Sequence, residues 1–111
     1  MPRTMIISRD AALKARALQE APSTLWVDTC AGLEAALKVP PRQVLVDLNV
    51  EWEQDITECI AHCRKSGAAS VIAFLHVVSG ELAIRAHIAG ADRVIPQNQL
   101  EDELVDLLRE D

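Results

Sequence analysis

The sequence predicts a three-layer, doubly wound α/β sandwich, a five-stranded parallel sheet with helices on both faces. Three observations carry that reading. Five short apolar runs alternate with five stretches of good helix formers along 111 residues. The runs are apolar without alternation, as a strand must be when both of its faces are covered. The loops between them are short, and right-handed crossovers then place helices on either side of the sheet. The length allows one domain over residues 1–111. Half of the residues are apolar and only 3% aromatic, so the core is expected to be aliphatic.

Met5, Ile6 and Ile7 form the first run, closed by Ser8, Arg9 and Asp10. Ala11 to Ala21 is rich in Ala, Leu, Lys, Arg, Gln and Glu, with Asp10 placed to cap it and Pro22 to stop it. Thr24 to Val27 is the second strand, followed by Asp28 and Thr29. Cys30 to Lys38 has helical spacing and ends at Val39-Pro40-Pro41. Gln43 to Leu48 is the third strand, its β-branched centre leading into a carboxylate at Asp47. From Glu53 to Ser66, Ile56, Cys59, Ile60 and Cys63 fall on one helix stripe. Gly67 is placed to end that helix with a positive φ. Val71 to Leu75 is the fourth and most apolar strand. Ser79 is placed to cap a helix reaching Gly90, and Arg93 to Ile95 is the fifth strand. Asn98 with Glu101 resembles a capping box for a last helix lined by Leu100, Leu104, Leu107 and Leu108.

Composition removes several function classes. The net charge is −6, a field that disfavours a nucleic-acid backbone or an anionic membrane as main partner. Three cysteines, at 30, 59 and 63, make no secreted disulfide framework. The opening MPRTMIISRD has too short an apolar run for a signal peptide, and no stretch approaches the roughly 18–20 residues of a membrane span. A cytoplasmic setting is expected. Ser8-Arg9-Asp10-Ala11 contains no glycine, against a phosphate-binding or dinucleotide loop. Cys59, His62 and Cys63 have ligand chemistry at i, i+3, i+4, but zinc takes four ligands, and both thiols lie on the apolar stripe. They read as small buried hydrophobes, and no metal or cofactor is expected.

In a parallel sheet of this kind, ligand chemistry belongs at the C-terminal ends of the strands. Those ends offer Ser8, Arg9 and Asp10, then Asp28, Asp47, His76, Pro96 and Gln97. Asp47 is the most informative. A carboxylate ending an apolar strand costs desolvation unless it meets water, a cation or N–H donors. It reads either as a ligand or nucleophile at the sheet mouth or as a solvated aspartate capping the next turn. His76 has a suitable pKa for a base, but no Ser or Cys nucleophile is evidently paired with it. A small enzyme using Asp47 and His76 is therefore the weakest class. Trp26 is expected to pack under a neighbouring helix. Trp52, between Glu51 and Glu53, reads as a shield or partner anchor for the site, or as a loop lid on the third helix.

Residues Pro41 to Asn49 resemble the third strand of response-regulator receiver domains, and Ser70 to His76 resembles their fourth. Ala83-Ile84-Arg85-Ala86 and the run from Ala89 to Ile95 resemble their fourth helix and fifth strand. The resemblance covers essentially the whole chain. It implies the flavodoxin-like, CheY-like strand order 2-1-3-4-5, and a fold that ordinarily receives phosphate from a histidine kinase on an aspartate with Mg²⁺. Asp47 matches the phosphoacceptor. The acidic pair that holds the metal falls on Ser8 and Arg9, with Asp10 just beyond. The family's hydroxyl falls on Leu75, its following small residue on His76 and its lysine on Gln97.

The resemblance thus implies a degenerate receiver, a signalling or protein-interaction module and not an enzyme. The alternative is a true phosphoreceiver on Asp47 that uses Asp10 and Glu51 or Glu53 for the metal. In the first case Arg9 is expected to pair with Asp47 in place of the metal. A protein partner or a homodimer is expected, with no nucleic acid and no membrane. On the fourth helix Ala83, Ala86 and Gly90 are expected toward the sheet, and Ile84 and Ile88 either tuck under the third or fifth helix or form a candidate docking patch. Arg85 and Arg93 are placed to pair with Glu101, Asp102 or Glu103 across a two-fold axis as its polar rim. His87 is expected at the surface.

Overall fold

A computed structural model describes residues 4–52, 54–76 and 80–109. Strands β1 (Thr4–Ile7), β2 (Leu25–Val27), β3 (Gln43–Asp47), β4 (Ser70–Leu75) and β5 (Arg93–Pro96) form one sheet. It runs in the order β2-β1-β3-β4-β5, and every pairing is parallel. Helices α1 (Ala11–Glu20), α2 (Cys30–Ala36), α3 (Ile56–Ser66), α4 (Gly80–Ala89) and α5 (Gln97–Arg109) make the crossovers and the final cover.

The unbroken apolar character of the strands is explained by two cores, one on each face. Met5, Ile7, Val44, Val46, Val71, Ala73 and Leu75 pack with Leu33, Ile56, Cys59, Ile60, Cys63 and Ala86 from α2, α3 and α4. Ile6, Leu45, Ile72, Phe74 and Ile95 pack with Leu13 and Ala17 of α1 and four leucines of α5. Alternate residues of each strand thus feed opposite layers. Trp26 packs against the α1 and α5 side, with Lys14 of α1 over its ring.

Local signals account for most element ends. Asp10 accepts from the N–H groups of Ala12 and Leu13 at 3.0 and 3.2 Å, capping α1. Gly67 ends α3 with φ 107°, a conformation that side-chain-bearing residues rarely adopt. Two helix starts differ from the sequence expectation. The third helix begins at Ile56, because Asp55 accepts from both the Thr57 N–H and its hydroxyl. Asn98 is not a cap. Strand β5 runs straight into α5 at Gln97, so Asn98 already sits inside the first turn. The cap expected at Ser79 and the helix start expected at Glu53 lie outside the described residues.

Candidate functional site

Parallel order brings the C-terminal ends of β1, β3, β4 and β5 to one mouth. Asp47 is the last residue of β3, opposite Phe74 of β4, and only 3% exposed. Its carboxylate accepts three hydrogen bonds from the chain itself. The Ser8 hydroxyl, fully buried at the end of β1, donates to Oδ2 at 2.6 Å. The Asn49 N–H and side-chain amide both donate to Oδ1 at 2.8 Å. Ser8 Oγ in turn accepts from the Asp10 N–H at 3.1 Å. Asn49 also gives its amide to Gln97 Oε1 at 2.9 Å and accepts the His76 N–H at 2.7 Å. The network therefore spans four strand ends, and its donors offset the desolvation of a buried carboxylate.

The turn-capping reading of Asp47 is met in part. It caps the turn that follows, but it does so buried and not solvated. Asn49 was not among the candidate residues, although it donates two of the three bonds. The available signal was local: an aspartate accepting from the N–H two residues on is an Asx turn. His76 contributes its backbone N–H, while its side chain is exposed. Leu75 is buried in the core, and no hydroxyl stands at that position.

Arg9 does not pair with Asp47. Its Nε donates to the Asp28 carbonyl at 2.9 Å, its Nη1 donates to the Glu51 carbonyl, and its guanidinium lies 4.6 Å from the centre of the Trp52 ring. The ends of β1 and β2 and the loop after β3 are thereby tied together. A flexible cation at the rim reaches exposed carbonyls and an aromatic face without being desolvated, whereas an ion pair at Asp47 would bury it. Trp52 packs on the α2, α3 and α4 core.

A magnesium ion beside Asp47, which the resemblance implies, does not fit these residues. Mg²⁺ wants a near-octahedral shell of oxygens. Here both carboxylate oxygens already accept internal bonds, Ser8 points a hydroxyl hydrogen inward, and Asp10 turns its carboxylate to the start of α1. Among the described residues no group of three His, Cys, Asp or Glu side chains is placed to hold a metal. Cys59 and Cys63 are buried in the core. Burial, reinforced by Cys59, pushes the Cys63 thiol up to about 12. A protonated thiol is not a metal ligand. A cleft of about 330 Å³ between α2 and α3 is lined by Glu34, Gln54, Glu58, Cys59 and His62 and, among the described residues, by none of the mouth.

On α4, Ala86 is buried toward the sheet, and Ile84 and Ile88 are 59% and 80% exposed. His87 is exposed, with Nδ1 3.2 Å from the Ala91 carbonyl. The rim arginines are used within the chain. Arg85 pairs with Asp55, and Arg93 makes a two-pronged contact with Glu103 at 3.1 Å for each bond. Both are close enough to find their acids without a two-fold axis.

Comparison with solved structures identifies the architecture. The signal receiver domain of a DNA-binding response regulator from Colwellia psychrerythraea 34H matches with TM-score 0.71 at 18% identity, over 100% of both chains. The fold is that of response-regulator receiver domains. The beryllofluoride-activated NtrC4 receiver domain dimer matches this receiver fold with TM-score 0.72 at 13% identity, over 99% of this chain and 98% of that one. The phosphorylated cyanobacterial phytochrome response regulator RcpA matches with TM-score 0.70 at 15% identity, over 99% and 91%. At such identities the shared property is the fold. No family model matches the sequence, and no curated protein matches it. Among the described residues no helix is long and apolar enough to cross a membrane.

Proposed function

We propose that the chain is a receiver-type signalling and protein-interaction module that works without magnesium-dependent phosphotransfer to Asp47. The carrying observation is the state of that carboxylate. It is buried and accepts from Ser8 Oγ, Asn49 N and Asn49 Nδ2, with Arg9 turned away, Leu75 in place of a hydroxyl and Gln97 in place of a cation. In-line phosphoryl transfer needs an exposed oxygen and cationic charge at the transferring group. Among the described residues, Asp47 is 3% exposed and its hydrogen-bond partners are the neutral groups of Ser8 and Asn49. The test is incubation with a small phosphodonor and Mg²⁺, read by intact mass. The mass is expected to stay unchanged. Stoichiometric addition that disappears in Asp47→Asn would establish the phosphoreceiver reading instead, the state in which RcpA is found.

A module of this kind acts through what it touches. The exposed pair Ile84 and Ile88 is the candidate contact for a protein partner, a second copy included. One similar structure, the activated NtrC4 receiver, is itself a dimer.

A further inference from the structure

We propose that residues 49–52 form a strap over Asp47 that Arg9 holds shut, and that this strap opens as a unit while the rest of the fold stays closed. The inference concerns the motion of the mouth and stands whether or not Asp47 accepts phosphate. Four observations converge on it.

The segment follows β3 without regular structure, and among the described residues its tie to the sheet is made just before it, by the Leu48 N–H on the Phe74 carbonyl, 2.8 Å away. Asn49, inside it, supplies two of the three donors on Asp47, so opening would strip most of that carboxylate's partners at once. Arg9 grips the far end through the Glu51 carbonyl and the Trp52 ring while anchored to the Asp28 carbonyl of the neighbouring loop. The closed arrangement also carries a cost. The Trp52 indole Nε1 is buried and has no hydrogen-bond partner among the described residues. Water would satisfy that group in the open state and oppose closure. Among the described residues the segment is held by side-chain ties at Asn49 and Arg9 rather than by a run of ladder bonds, and it carries one unsatisfied buried donor, so local opening is expected to be cheaper there than in the sheet or α5.

The test is residue-resolved amide hydrogen exchange on the full chain, parent against Arg9→Ala and Arg9→Lys. The Asn49 amide, bonded to Asp47 in the closed state, is expected to exchange roughly tenfold faster or more in Arg9→Ala. The amides of Leu104 and Leu107 in α5 should keep their rates. Arg9→Lys retains the charge but loses the fork that reaches two carbonyls, and should fall between. In a Trp26→Phe background, Trp52 fluorescence should become more accessible to acrylamide in Arg9→Ala. Acceleration of every amide by one common factor would show plain destabilisation and overturn the strap, as would unchanged Asn49 exchange. If Arg9→Ala does not fold, the parent decides. Asn49 exchange that is insensitive to low denaturant, while α5 exchange is sensitive, supports a local opening, and identical sensitivity overturns it.

Discussion

Replacing Ser8 by alanine tests the internal satisfaction of Asp47 most directly. The side chain is fully buried, so no water stands ready to take its place. Two bonds go with it: the 2.6 Å donation to Asp47 Oδ2 and the 3.1 Å acceptance from the Asp10 N–H. A hydrogen bond to an ionised partner contributes about 1.5–3 kcal/mol, and the second, to a half-exposed backbone group, about 0.5–1 kcal/mol. The expected loss is therefore about 2–4 kcal/mol, a large share of the ~5–15 kcal/mol typical of a domain. At roughly 4 °C per kcal/mol for this length, the melting temperature should fall by about 8–16 °C. Urea denaturation of the parent, Ser8→Ala, Asp47→Ala and the double variant closes a cycle. The coupling should be about 1.5–3 kcal/mol, because Ser8→Ala has little left to remove once the carboxylate is gone. A Ser8→Ala cost below ~0.5 kcal/mol, or an equal cost in both backgrounds, would refute the account.

Gly90 sits at φ 124°, and a Cβ there would lie 2.6 Å from Arg64 Cγ, so Gly90→Ala should lower the urea midpoint by the equivalent of about 1–3 kcal/mol. Gly80→Ala, with nothing within 4 Å, should leave it unchanged or raise it. Arg93 beside Glu103, with Gln99 adding a second hydrogen bond, holds the glutamate's carboxyl below its ordinary value of 4.5. Its folded pKa is depressed, so the contribution is present above the unfolded value and is lost as pH falls through the folded one. The midpoint difference between parent and Glu103→Gln should accordingly persist near neutrality, shrink below pH 4.5 and weaken with added salt. Ile84→Glu, at an exposed position, should leave thermal stability within ~0.5 kcal/mol of the parent yet abolish association through α4. Light scattering and pull-down that are both unchanged would remove the patch from the interaction surface.

Short-range pattern was enough to read the elements and the parallel, doubly covered sheet, while the strand order came from the resemblance to receiver domains. The apolar stripe of Ile56, Cys59, Ile60 and Cys63, the Asp10 cap and the positive-φ glycine at 67 depend on neighbours within a turn or two, and each is present in the fold. The unbroken apolar strands required cover on both faces, and both cores exist. Asp47 was singled out because a charge ending an apolar run must find compensation somewhere. What compensates it was only half legible. Asn49 lies two residues away and follows from turn chemistry, whereas Ser8 lies 39 residues away and meets Asp47 only because β1 and β3 pair in parallel. Long charged side chains were the least legible. The expectation that Arg9 would meet Asp47 matched charge to charge. The fold offered two loop carbonyls and an aromatic face within reach at the solvent edge, without the desolvation that a buried ion pair carries. Arg85 and Arg93 likewise met Asp55 and Glu103 of their own chain. The sequence by itself determined where the strands and helices lie and that both faces of the sheet are covered, since hydrophobic period and caps act through adjacent residues. Only the tertiary structure decided where flexible polar groups end, because those choices are competitions among partners that the fold first has to bring within reach.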